Sequence, residues 1–133
     1  MDRRLYQRIR IDAESVFILD NKDISPREFP GIVEDISESG VKIVTSKDES
    51  SHILNYLSSG KNLHFNVVDN YKLFGKETDA IISGLVTIVR KESDGDFVVL
   101  GCKYSPVTKE IEKYVSDKKL SLFVNKMKEA ALA

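Results

Sequence analysis

The chain has 133 residues, 41% of them hydrophobic and 31% charged, with a formal net charge of -1 and a pI near 6.1. That length fits one domain with a real core, and the near-neutral balance argues against a general nucleic-acid binder, which carries a basic surplus. No run of 18 apolar residues occurs, and the charged start Met1-Asp2-Arg3-Arg4 leads into no apolar h-region. Neither a membrane span nor a signal peptide is therefore expected, and a cytoplasmic protein is. The single Cys102 excludes an internal disulfide and sits in an apolar run, where a buried structural thiol is the expectation.

In chain order, Met1 to Arg10 carries four of the six arginines, with Arg4 and Arg8 four apart. The segment is too charged to build an apolar helix face, so residues 1–10 are read as a mobile arm. Ile11 to Leu19, rich in β-branched and aromatic residues, is a first strand. A turn at Asp20–Asp23 and an irregular piece from Ser25 to Pro30 follow, the prolines each removing a donor. Gly31–Glu34 and Val41–Val44 then read as two short strands. In extended backbone Asp35 and Ser37 would leave the same face, and Gly40 offers a position open to positive φ or to a close approach.

Ser46–Ser51 is a polar loop, and His52–Leu57 before Gly60 suggests a helical turn. Leu63, Phe65 and Val67 alternate with polar residues as a half-buried strand does. Asp69–Lys72 and Gly75–Thr78 flank a loop expected around Leu73-Phe74. Ala80–Val89 is a long strand whose Gly84 suits a bulge or the bend of a closing sheet. Ser93–Asp96 signals a hairpin, and Phe97–Tyr104 returns as the last strand. Ser105-Pro106 can open a helix carrying Val107, Ile111, Tyr114 and Val115 on one face. After the polar stretch Ser116–Lys119, a second series of Leu120, Phe123, Met127 and Ala130 or Ala131 makes either one bent helix or two. The expected architecture is mainly β: a small antiparallel barrel of about six strands with a C-terminal helix or two helical segments.

Arg4-x-x-x-Arg8 followed by Asp35-x-Ser37-x-x-Gly40 resembles the two-part signature of PilZ domains, bacterial receptors for cyclic di-GMP, over roughly Arg3 to Val115. The resemblance implies the same barrel and divides the chain into the arm at 1–10, a PilZ-like barrel at 11–104 and a helical segment at 105–133. It implies a ligand site of Arg3, Arg4, Arg8, Asp35, Ser37 and Gly40. The chemistry suits the ligand, since arginine grips phosphate with a planar fork and stacks on purines, and an ionised aspartate accepts from guanine N1 and N2 hydrogens. In PilZ relatives the residue just before the first motif arginine bears on ligand stoichiometry, so the resemblance implies that Arg3 favours an intercalated pair of ligand molecules over a single one.

No catalytic motif is present: there is no G-x-S-x-G elbow, no phosphate loop and no His-Cys constellation, and His52 and His64 lack metal-ligand spacing. No enzyme, metal or cofactor is expected beyond the ligand cyclic di-GMP. The expected function is a receptor whose arm folds over the nucleotide and whose signal leaves by docking on a downstream protein, with the C-terminal helix as a candidate homodimer contact. A nucleotide-independent adaptor of the same fold is the alternative, and an oligonucleotide-binding barrel is disfavoured by the acidic pI and sparse aromatics.

Overall fold

The structure is a computed structural model and describes residues 8–132. Six strands, β1 (Ile9–Leu19), β2 (Glu28–Ile36), β3 (Gly40–Ser46), β4 (Asn62–Leu73), β5 (Lys76–Asp94) and β6 (Phe97–Tyr104), precede one helix, α1 (Lys109–Leu132). The strands close in a ring in the order β1-β2-β3-β6-β5-β4, every neighbouring pair antiparallel. The expected mainly-β architecture of six strands and a C-terminal helix is what the chain adopts.

Alternation places the core. Val41, Ile43 and Thr45 of β3, Leu63, Phe65 and Val67 of β4, and Val98, Leu100, Cys102 and Tyr104 of β6 are buried, while most residues between them are not. Phe17 and Phe29 stack at 5.4 Å between β1 and β2 and are fully enclosed, each contributing on the order of 2–3 kcal/mol by burial. In β2 the buried residues Val33 and Ile36 are three apart, because the register shifts between Val33 and Asp35 and resets the alternation.

Several boundaries differ from the sequence expectations. The loop around Leu73-Phe74 is a tight turn, and the polar residues on both sides are paired strand, Asp69 to Leu73 facing Lys76 to Ala80. Cross-strand pairing to a long partner outweighs their weak strand propensity. Glu28–Pro30 belongs to β2, with Pro30 opposite Val16. The bulge in β5 lies between Ile88 and Arg90, not at Gly84. Gly84 instead makes room for packing: a Cβ there would stand 3.2 Å from the Phe65 ring and 3.4 Å from Ile111 of α1. The helical turn before Gly60 is a single 3-10 turn at Leu54–Tyr56.

α1 is one helix. It does not start at Ser105, whose N–H still donates to Leu85 O of the sheet at 2.9 Å. Thr108 Oγ1 accepts from the Ile111 N–H at 3.2 Å and caps the helix. Ile111, Tyr114 and Val115 join the core. The polar stretch 116–119 is the contact zone rather than a break. Tyr71 Oη donates to Asp117 (3.0 Å), Tyr114 Oη donates to Asp69 (2.7 Å), and Lys118 pairs with Asp69 (3.0 Å). Ser121 Oγ donates to Lys72 O at 2.6 Å and is the last buried residue of the helix. No helix among the described residues is long and apolar enough to cross a membrane.

Candidate functional site

The registers of five strands place one row of residues across the outside of the ring. Arg10 lies opposite Asp35, Asp35 opposite Lys42, Lys42 opposite Gly101, and Gly101 opposite Arg90. Three of these strands are irregular beside the row, with register shifts between Arg10 and Ala13, Val33 and Asp35, and Ile88 and Arg90. Such bulges re-aim side chains, and they gather charged groups here from strands that otherwise alternate core and solvent. The β1 irregularity includes Asp12 at φ 46°, a left-handed position that aspartate tolerates, with its carboxylate held by Arg10 Nε at 2.7 Å.

Together Arg8, Arg10, Glu34, Asp35, Lys42 and Arg90 line a pocket of about 540 Å³. Four cations against two carboxylates leave an excess of two positive charges. Arg8 Nη1 donates to Asp35 Oδ1 at 2.8 Å across 27 residues of sequence, so the end of the first motif and the start of the second meet. Their side chains are 34% and 17% exposed, enough burial for a charge-assisted bond to hold its geometry. Glu34 stands between Arg10 (3.8 Å) and Lys42 (3.5 Å). A larger depression, about 1030 Å³, lies elsewhere on the ring, around Val16, Ile32, Val68 and Phe97. Its charged lining is Glu14 and Glu49 with no cation, so it is a poor seat for an anion.

The rest of the second motif does a different job. Ser37 lies one residue past the end of β2, where the two-residue alternation with Asp35 no longer holds, and it is 1% exposed. Its N–H donates to Gly40 O (2.9 Å), while its Oγ accepts from the N–H groups of Ser39 (3.2 Å) and Gly40 (3.3 Å). Tyr104 Oη, whose pKa burial pushes upward, donates to Ser37 O at 2.8 Å. Gly40 is not at positive φ. What requires glycine is β6: an added Cβ would stand 2.0 Å from Cys102 O and 3.0 Å from Cys102 C. The motif thus closes a turn against β6 and thereby fixes the end of β2 that carries Asp35.

Glu38 in the same turn forms an ion pair with Lys119 of α1. Burial alone would raise the Glu38 carboxyl, but the hydrogen bonds from Lys119 and from a backbone amide outweigh it and hold the group below its ordinary 4.5. Glu38 Oε2 is buried and accepts no hydrogen bond among the described residues. The turn that positions Asp35 is therefore tied directly to the helix.

Of the residues expected to form the site, Arg8 and Asp35 come together in the pocket, and Ser37 and Gly40 form the turn behind it. Arg3 and Arg4 lie outside the described residues. Sequence reading missed Arg10, Glu34, Lys42 and Arg90 as members of the site. For Lys42 a signal existed, an outward position between buried Val41 and Ile43. For Arg90 none did, since its place depends on the β5 bulge.

No curated protein matches the sequence. Among solved structures the chain is similar to the Bacillus subtilis inhibitor of motility MotI/DgrA, with a TM-score of 0.60 and 16% identity, over 98% of this chain and 53% of that one. It thus spans about half of that protein's length. It is also similar to the PilZ domain of Escherichia coli YcgR, solved with c-di-GMP, with a TM-score of 0.59 and 17% identity, over 99% of this chain and 100% of that one. At such identities these likenesses establish the ring-and-helix fold. The PilZ domain model matches residues 2–117, which include both motifs and every strand, and the chain belongs to the PilZ domain family.

Proposed function

We propose that this protein is a cyclic di-GMP receptor rather than an enzyme, and that it works in the cytoplasm. The observation that carries the reading is the Arg8–Asp35 contact at 2.8 Å inside a pocket with two surplus positive charges. Cyclic di-GMP has two phosphodiesters and is a dianion, so its charge complements the pocket. Arg8 and Arg4 take phosphate or stack on guanine, and Asp35 accepts from the guanine edge. Ser37 and Gly40 support the site by holding the turn in place. Arg4 lies four residues before Arg8, so an extended chain keeps it within about 14 Å of the pocket, where it can close over the ligand. Arg3 beside it favours a second, intercalated ligand molecule.

Closure of residues 1–7 over the nucleotide, with Ile9 and Arg10 held in β1, changes the surface beside the ring, and Glu38–Lys119 links the turn behind the pocket to α1. The signal leaves by docking on a downstream protein. Past Ser121 the helix presents Leu122, Phe123, Met127 and Leu132 to solvent, which suits such a partner or a second copy of the chain. The same exposed end favours a second reading, an adaptor that docks without nucleotide.

Isothermal titration with cyclic di-GMP, beside GTP and cyclic GMP, tests the reading. Selective binding is expected, and Arg8→Ala should weaken it by about 10- to 100-fold, the range for one lost charge-assisted hydrogen bond. No binding by the wild-type chain, or full binding by Arg8→Ala, would overturn it and leave the adaptor.

A further inference from the structure

Arg90 lies outside both motifs and reaches the pocket from the far side. In the sheet it is separated from Asp35 by three strand-to-strand steps, β2 to β3, β3 to β6 and β6 to β5, or about 14 Å of backbone. Its side chain shortens that distance by lying over Gly101: a Cβ added to Gly101 would stand 3.1 Å from Arg90 Nε and 3.2 Å from its Cγ. Any larger residue at 101 would displace it from this path. Beyond Gly101 in the same row is Lys42, whose Nζ pairs with Glu34 at 3.5 Å. Arg90's partner is Glu92 on its own strand, at 3.6 Å with both side chains more than half exposed. Exchanging so exposed a pair for a ligand costs little.

The pocket therefore has two cationic walls, Arg8 and Arg10 on one side and Arg90 with Lys42 on the other, with Asp35 bonded to Arg8 and Glu34 between Arg10 and Lys42. A ligand with one negative charge needs one wall; a dianion with separated charges uses both. Resting on the receptor reading above, we propose that Arg90, laid across Gly101, is the second anion contact of the site and pairs with the phosphodiester of cyclic di-GMP that Arg8 does not reach. Gly101 is the residue that makes room for it.

The test is titration of cyclic di-GMP into the wild type, Arg90→Ala, Arg90→Lys, Gly101→Ala and the double variant Arg90→Ala/Gly101→Ala, with thermal unfolding of each. Arg90→Ala should weaken binding by about tenfold or more, and Arg90→Lys, which keeps the charge but not the planar fork, should recover only part of that loss. Gly101→Ala should weaken binding through Arg90, so the double variant should bind no worse than Arg90→Ala; such non-additivity marks a shared interaction. If the wild type binds and Arg90→Ala matches it within twofold, this inference is overturned and the receptor reading stands. If the wild type does not bind, both fall. Full additivity of the two substitutions would remove Gly101 from the proposal.

Discussion

Gly40→Ala should unfold part of the ring rather than merely block a ligand. The added Cβ would stand 2.0 Å from Cys102 O, 3.0 Å from Cys102 C and 3.1 Å from Lys103 Cα, all of them backbone atoms that no rotamer change can move. Relieving the contact requires β3 and β6 to separate by about 1 Å at Gly40 and Lys103, the last pair of their ladder. Overpacking of this kind costs about 1–3 kcal/mol. One or two weakened ladder bonds add about 1 kcal/mol each. A loss of about 3–4 kcal/mol in a chain of this size lowers Tm by roughly 12 °C. Thermal and urea unfolding followed by circular dichroism measure it. Gly101→Ala is the matched control on the neighbouring strand: the three atoms nearest its Cβ all belong to the Arg90 side chain, which can move, and a Tm within about 2 °C of the wild type is expected. A Gly40→Ala protein as stable as that control would refute the argument. It would mean that the glycine of the motif is free to serve the ligand directly.

Other outcomes follow from the same geometry. Lys119→Met leaves Glu38 partly buried without its cation and should cost about 1–2 kcal/mol at pH 7. Because the pair depresses the Glu38 carboxyl below 4.5, its contribution is complete above that pH and is lost as pH falls through the folded value, so the difference between variant and wild type should shrink toward pH 3. An equal difference at pH 7 and pH 3 in urea unfolding would contradict this. Burial pushes the Cys102 thiol up to about 12, so at pH 8 roughly one thiol in 10,000 is ionised. Alkylation by iodoacetamide should be at least about 100-fold slower in the folded protein than in urea, and comparable rates would place Cys102 at the surface.

The two motifs meet because of a register that no local rule states. Alternation in Leu63-Phe65-Val67 was legible because a half-buried strand must repeat every two residues. The polar residues on either side of Phe74 misled, since their strand state comes from pairing with each other rather than from their own preferences. Likewise the stretch 116–119 read as an interruption, yet its charges are satisfied by Tyr71, Asp69 and Glu38 on the ring, and the helix runs through.

By itself the sequence determined the mainly-β class, the terminal helix and the buried cysteine, and it singled out Arg8 and Asp35, which the fold brings into contact. These rest on periodicity and on motif residues whose chemistry is their own. Only the tertiary structure decided that Ser37 and Gly40 close a turn against β6, and that Lys42 and Arg90 join the pocket. The reason is physical: bulges in β1, β2 and β5 and the closure of six strands into a ring set which residues share a row, and those registers are fixed by pairing between strand residues up to 63 apart in sequence.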